Sequence, residues 1–397
     1  MVKLPIYLDN NATTQVDPRV LDTMLPYFID HFGNAASRNH PFGWEAEEAV
    51  ELAREQVARL IGAETKEIYF TSGATESDNL ALKGVFEMYA SKGNHIITAV
   101  TEHKAVLDAC IHLEKMGAEV TYLNVKPNGL IDLAELEAAI KPNTILIAIM
   151  YANNEIGIIQ PVKEISDIAR KNGVLFFTDA TQAVGKIPVD VQRDGIDLMA
   201  LSAHKIYGPK GVGALYIRRK NPRVKITAQM DGGGHERGVR SGTLNVPGIA
   251  GFGKACELCR LEMEADSLRI KVLRDKLENA LLQIEETKIN GDKENRLPHV
   301  TNISFRHVEG EALLMAINKN IAVSSGSACT SASIEPSYVL KALGLSDDQA
   351  YSSLRFALGR FTTEEQIEYA IEQVTDAVNK LRSISPLWEM FKEGVNV

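Results

Sequence analysis

Seven short runs rich in β-branched and aromatic residues, spaced by amphipathic stretches between Lys66 and Arg218, constrain this chain more than any other feature. They read "EIYFT", "HIITAV", "EVTYLNV", "TILIAIM", "VLFFT", "DLMALS" and "GALYIRR". Several are almost continuously apolar, the mark of strands covered on both faces, as in parallel sheets. Between them, "ESDNLALKGVFEMYASKG" and "PVKEISDIARKNG" carry helical periodicity, the second stopped by Gly173. This alternation predicts an α/β fold with a mostly parallel central sheet. Past Ile249 the pattern changes: "IAGFGKACELCRLEMEADSLRIKVLRDKLENALLQIEE" predicts one long helix or two in series. Strands at "VTNISFRHV" and "SSLRFAL" and a helix at "TEEQIEYAIEQVTDAVNKLRS" follow. A chain of 397 residues is long for one core. The reading is a large α/β domain over 16–254 and a smaller α+β domain made of 1–15 and 255–397.

The net charge of −9 argues against a general nucleic-acid binder, which needs a basic face. No apolar run reaches the length of a membrane span. The start, "MVKLPIYLDN", lacks the pattern of a signal peptide. Four cysteines do not make a disulfide framework in so long a chain. The expectation is a cytoplasmic protein with reduced thiols.

Open α/β sheets bind ligands at the carboxyl ends of their strands, so the residues after each strand matter most. "SGATES", Ser72 to Ser77, enters a helix and is a candidate phosphate cradle. "TEH" ends in His103, "YANNEIG" offers Asn153 and Asn154, "DATQ" offers Asp179 and Gln182, and "SAHK" offers Ser202, His204 and Lys205. Singly, each has a plain explanation. Asp179 suits a helix N-cap, His103 a surface histidine, and Lys205 a solvated lysine with Lys210 nearby to compete for its role. Five strand ends together resist that account. "CELC", Cys256 to Cys259, lies within a helical pattern with no second pair and reads as packing; so does Cys110. The glycines of "GPKGVGAL" precede a strand instead of opening a helix, which excludes a dinucleotide fingerprint.

An anion cradle, a histidine, a carboxylate and a lysine suit pyridoxal 5′-phosphate. The lysine forms an imine with the cofactor, and an aspartate keeps the ring nitrogen protonated so that the ring accepts carbanion electrons. Lys205 and Asp179 can fill those roles. Gln182 and Asn154 can bond the ring oxygen, and Ser202, His204 and Thr75 the phosphate.

The motifs "SGATES", "TEH", "NNEIG", "DATQ", "SAHKIYGPKGVG", "GGGHERGVRSGTLN" and "SSGSACTSAS" resemble the pyridoxal-phosphate cysteine desulfurases of the IscS and NifS type, from "YLDNNATT" to "SPLWEMFKEG". The resemblance implies a fold type I transferase working as a homodimer on L-cysteine. It places the Schiff-base lysine on Lys205, not Lys210, and the ring-stacking, proton-shuttling histidine on His103. Phosphate contacts fall on Ala74 and Thr75, and Thr243 reaches the phosphate of the other subunit. Arg355, helped by Asn34, takes the substrate carboxylate. Cys329, within a stretch of small residues that offers a core thiol nothing to pack on, becomes the nucleophile that accepts sulfur as a persulfide.

The product is alanine, and the sulfur is destined for iron–sulfur cluster assembly and tRNA thiolation. An iron–sulfur scaffold protein would dock near Trp388, Met390 and Phe391 and share Cys329 as a ligand of a 2Fe–2S cluster. A selenocysteine lyase or a small-amino-acid aminotransferase of the same fold is the alternative.

Overall fold

The computed structural model describes residues 2–325 and 335–394. All seven β-rich runs form strands. After a short β1 (Ile6–Tyr7) come β2 (Ile68–Thr71), β3 (His95–Ala99), β4 (Glu119–Leu123), β5 (Thr144–Ala148), β6 (Leu175–Asp179), β7 (Leu198–Ser202) and β8 (Gly213–Ile217). Their order in the sheet is β2-β8-β7-β6-β5-β3-β4. β3, β4, β5, β6 and β7 pair in parallel, and β8 runs antiparallel to both of its neighbours, β7 and β2. Six strands therefore end on one edge and β8 begins there. At that edge Gly213 is paired with Thr71 on one side and Ser202 on the other.

The sheet is apolar on both faces, as its sequence demands. Phe177, Ala200 and Leu215 face the helices Ala74–Met88 and Lys104–Lys115, while Phe176, Met199 and Tyr216 face the opposite core. In that second core lie the helix Pro41–Leu60 and the first half of a 36-residue helix, Val246–Leu281. The long helix is a single element. Pro247 stands in its first turn and the Asn245 side chain caps Gly248 N–H. Gly253 lets it approach Pro41–Leu60, since a Cβ there would lie 2.5 Å from Ala53 Cα.

The far half of the long helix, through Ile270, Leu273, Leu277 and Leu281, packs instead on Phe305, Phe356 and Val374. Those residues belong to an antiparallel sheet of order β12-β13-β10-β9 and to the helix Glu364–Arg382. The strands are β9 (Thr287–Ile289), β10 (Val300–Phe305), β12 (Ser324–Ser325) and β13 (Ser353–Ala357). β11 (Ile321–Ala322) pairs in parallel with β1. The N-terminal strand is thus joined to the C-terminal third of the chain, and Asp9 bridges to Ala357. No described helix is long and apolar enough to cross a membrane.

A buried ion pair anchors the loop between β8 and the long helix. Arg54 and Glu236 are 3 % and 2 % exposed in their side chains, with N–O distances of 2.7 and 2.8 Å, and Glu236 also accepts Phe70 N–H at 2.7 Å. Removing Glu236 leaves the buried Arg54 only the exposed Glu51 at 2.9 Å as a charged partner and leaves Phe70 N–H without its acceptor. Glu236→Ala is expected to lower unfolding free energy by about 3–5 kcal/mol, and the double change Arg54→Met with Glu236→Leu by much less. Urea denaturation of the three proteins checks this.

Candidate active site

Where the six strands end, a cavity of about 620 Å3 opens, and most of the residues singled out from the sequence line it. β2 runs into Ser72 and Gly73, and Gly73 is the N-cap of Ala74–Met88, with no side chain to satisfy the first turn. The first N–H groups of a helix have no intrahelical acceptor, so Ala74 and Thr75 present donors and a favourable dipole to an anion. This turn sits against the start of β8. A Cβ on Gly213 would lie 2.7 Å from Gly73 Cα and 2.5 Å from the Leu201 carbonyl oxygen. Only glycine admits the approach. Glu76, in the same turn, is neutralised by Arg240 at 2.7 Å, which holds its carboxyl below the ordinary range against the opposing effect of burial.

His103 caps the helix after β3, its Nδ1 accepting Ala105 N–H at 3.2 Å. The neutral ring then carries its proton on Nε2, so in this arrangement it donates; to take up a proton it must give up the bond to Ala105. Asp179 closes β6 and is followed by a turn, not a helix, in which its Oδ1 accepts Thr181 N–H at 2.9 Å. Lys205 ends a 3-10 turn directly after β7, and its Nζ donates to the carbonyls of Asn11 at 2.5 Å and Ala12 at 2.7 Å. His204 Nδ1 is 3.1 Å from Thr13 Oγ1. Gln182 donates to the Asn11 carbonyl at 3.0 Å.

Arg355, on β13, reaches the same cavity from the smaller sheet. It donates to the Asn154 carbonyl at 2.9 Å and to Asp9 Oδ1 at 2.7 Å. Its buried Nε has no hydrogen-bond partner among the described residues, and neither does the buried Oγ1 of Thr181, which also lines the cavity. Unsatisfied buried polar atoms of this kind call for a ligand.

Electrostatics divide the site. Burial, and then the charges of Lys205 and Lys210, push His204 down to about 4. Burial also pushes His103 below its usual value, aided by Lys205 and opposed by Asp179. Behind Asp179 two buried carboxyls, Asp78 and Glu102, are pushed well up by burial first and by the charge of Asp179, which favours their neutral forms.

The cavity thus gathers Ala74, Thr75, His103, Asn154, Asp179, Gln182, Ser202, His204, Lys205 and Arg355. Lys210 lines it too, but exposed and five positions beyond the strand-end lysine. Asn34 and Thr243 are exposed and do not line it; Asn34 Oδ1 accepts Ala36 N–H in its own turn. Cys329 lies outside the described residues. Cys256 and Cys259 are buried in the core and burial raises both thiols, as it pushes Cys110 up to about 12; none of the three belongs to a metal-binding cluster among the described residues. Trp388 and Phe391 pack on His307, with Phe391 stacked at 4.6 Å, whereas Met390 is exposed.

One wall was missed by sequence reasoning: Asn11, Ala12 and Thr13, which lie in no regular element. Their signal was the cluster of amides and hydroxyls in "DNNATT", two asparagines and two threonines within six residues.

A lysine at a strand end, an uncapped helix terminus, a buried aspartate and unsatisfied donors on one cavity fit pyridoxal phosphate, and the class defined is that of the pyridoxal-phosphate enzymes with the type I transferase fold. The family model "Aminotransferase class-V" matches residues 6–370. The "Cysteine desulfurase IscS" of Anaeromyxobacter dehalogenans (strain 2CP-C) is 59% identical over 397 residues, covering 100% of this chain and 98% of that protein. Among solved structures, a "NIFS-like protein" superposes with a TM-score of 0.89 at 38% identity, over 95% of this chain and 100% of that one. "SspA in complex with cysteine" follows with a TM-score of 0.80 at 37% identity, over 90% and 100%. The chain belongs to the class-V aminotransferase family, among its cysteine desulfurases of the IscS and NifS type.

Both cavity histidines are expected to be neutral at pH 7. Their folded values lie below the unfolded value of about 6.5, so acid below that point loads protons on the unfolded chain first and stability falls. Histidine NMR should give a midpoint for His204 near 4. A midpoint near the unfolded value would contradict its burial.

Proposed function

We propose that this chain releases sulfur from L-cysteine as L-alanine and stores it on Cys329 as a persulfide, using the cavity residues in the following roles. The single observation that carries the reading is Lys205 at the end of β7, on one cavity with Asp179, His103 and Arg355. The comparisons support it, since the curated relatives are named cysteine desulfurases and one structural neighbour is described in complex with cysteine. When bound, pyridoxal phosphate supplies an electron sink for the carbanion formed at the substrate α-carbon.

The chain's own residues do the rest. Ala74, Thr75, Ser202 and His204 hold the phosphate, and Thr243 completes the phosphate site of a partner subunit, which makes the working unit a homodimer. Asp179 would pair with the ring nitrogen, and Gln182 and Asn154 would hold the ring oxygen. Arg355 would orient the substrate carboxylate; Asn34, outside the cavity, is given a part in this by the family resemblance alone. The Arg355 guanidinium is already held on Asp9 and the Asn154 carbonyl, so a carboxylate meets a preorganised fork. Lys205 would hold the cofactor and, with its amine free, would take the substrate α-proton. Cys329 attacks the substrate sulfur, the Cβ–S bond breaks, and the β-carbon gains a proton; substrate plus enzyme thiol becomes alanine plus enzyme persulfide. His103 moves a proton at this stage by exchanging its bond to Ala105 N–H.

In this reading residues 16–254 form the cofactor domain, and 1–15 with 255–397 the smaller domain that bears the sulfur-accepting segment. Persulfide sulfur leaves for iron–sulfur assembly and tRNA thiolation in the cytoplasm. A scaffold protein docks on the helix Pro386–Lys392, where Leu387 and Met390 are exposed, and shares Cys329 as a ligand of its 2Fe–2S cluster.

Incubation with L-cysteine and a reductant should yield alanine and sulfide in equal amounts. Cys329→Ser should keep the visible cofactor band and lose sulfide, whereas Lys205→Ala should lose the band. Alanine formed by Cys329→Ser at the parent rate would favour a lyase that needs no sulfur-accepting thiol. Arg355→Lys should raise KM for cysteine about ten- to hundredfold, the worth of a charge-assisted pair.

A further inference from the structure

Beneath the lysine lies a clamp that the functional reading does not use. The Asn11 side chain is gripped at both ends: its Nδ2 donates to the Asn154 carbonyl at 2.9 Å, and its Oδ1 is 2.8 Å from His299 Nε2. Because the amide nitrogen is committed to Asn154, the oxygen must be the acceptor and His299 the donor. His299 is 1 % exposed and its Nδ1 has no partner among the described residues, so the ring is a neutral Nε2–H tautomer. The charged groups facing it, Lys186, Arg274 and Arg355, are all cations and disfavour a second proton. The His299 backbone is itself fixed, its carbonyl accepting Leu358 N–H at 2.8 Å. Asn11 in turn offers one carbonyl to both Lys205 and Gln182.

We propose that His299 and Asn11 are positioning residues for Lys205: the imidazole N–H orients the Asn11 amide, and the fixed Asn11 carbonyl holds the lysine amine in its charged form until the cofactor arrives. The inference rests on Lys205 being the cofactor lysine. Titratable or charged groups lining the same cavity are Glu76, which is paired with Arg240, and His103, Asp179, His204, Lys210 and Arg355. Only Arg355 among them also faces position 299.

The test uses apo-protein and added pyridoxal phosphate, following growth of the visible band against pH. Only the unprotonated amine attacks the aldehyde, so the midpoint reads the acidity of Lys205. His299→Leu removes the donor at similar volume; His299→Gln replaces it. The Leu protein should show its midpoint about one pH unit lower, because a charged amine loses a well-placed acceptor, and the Gln protein should return towards the parent. A role in folding alone would lower the melting temperature of His299→Leu without moving the midpoint, and would overturn the proposal. So would a shift that Gln fails to correct. Lys205→Ala is the separate control. A band that survives it refutes the assignment of the lysine, whereas its loss together with an unmoved His299→Leu midpoint refutes only the clamp.

Discussion

The direction of the central strands governs everything else in this molecule. Parallel pairing from β4 to β7 sends every strand end to one edge, and backbone geometry then forces Ala74, His103, Asn154, Asp179 and Lys205 into one neighbourhood. β8 is the exception that completes the arrangement. Running backwards, it starts at that edge with a residue lacking a Cβ, wedged between the ends of β2 and β7. A side chain there would push the Gly73 turn, and the helix terminus at Ala74 with it, away from the Ser202 strand.

Converging so many polar groups on an apolar sheet carries a desolvation penalty unless each finds a partner. The N-terminal segment supplies many of them. Residues 9–14 cross from the smaller sheet to the larger one, accepting from Lys205 and Gln182 through main-chain oxygens and meeting Arg355 through Asp9. Thr14 continues the pattern, donating to the His204 carbonyl and accepting Tyr207 N–H. The carboxyls Asp78 and Glu102 follow a different logic: burial favours their neutral forms, opposed at Glu102 by the hydrogen bond from Met150 N–H.

The strand ends were legible in the sequence because periodicity marks each strand and the next residue is then placed by geometry. That is why Asp179 and Lys205 could be named without a structure, and why the sheet and the long helix came out as expected. Asn11 and His299 could not be found this way. Their importance lies in a contact spanning 288 positions, between two residues outside any periodic pattern. Arg355 occupies an intermediate case: its strand was readable, but its aim into a cavity formed largely by the other sheet depends on the register of β13 against β10 and β12. The helix Pro41–Leu60 escaped because its buried face is half alanine, with a glycine and an arginine besides, which gives a weak apolar signal.

The crossing segment near the amino terminus also sets an order of events. Leu8, Asp9 and Asn10 take their seats against Ala357, whose N–H meets the Leu8 carbonyl at 2.7 Å and whose carbonyl accepts Asn10 N–H at 3.1 Å. Residues near position 10 must therefore wait for residues near position 357. Until residue 357 is in place, the wall whose carbonyls receive the Lys205 amine lacks this anchor, so seating it couples the smaller sheet to the larger one.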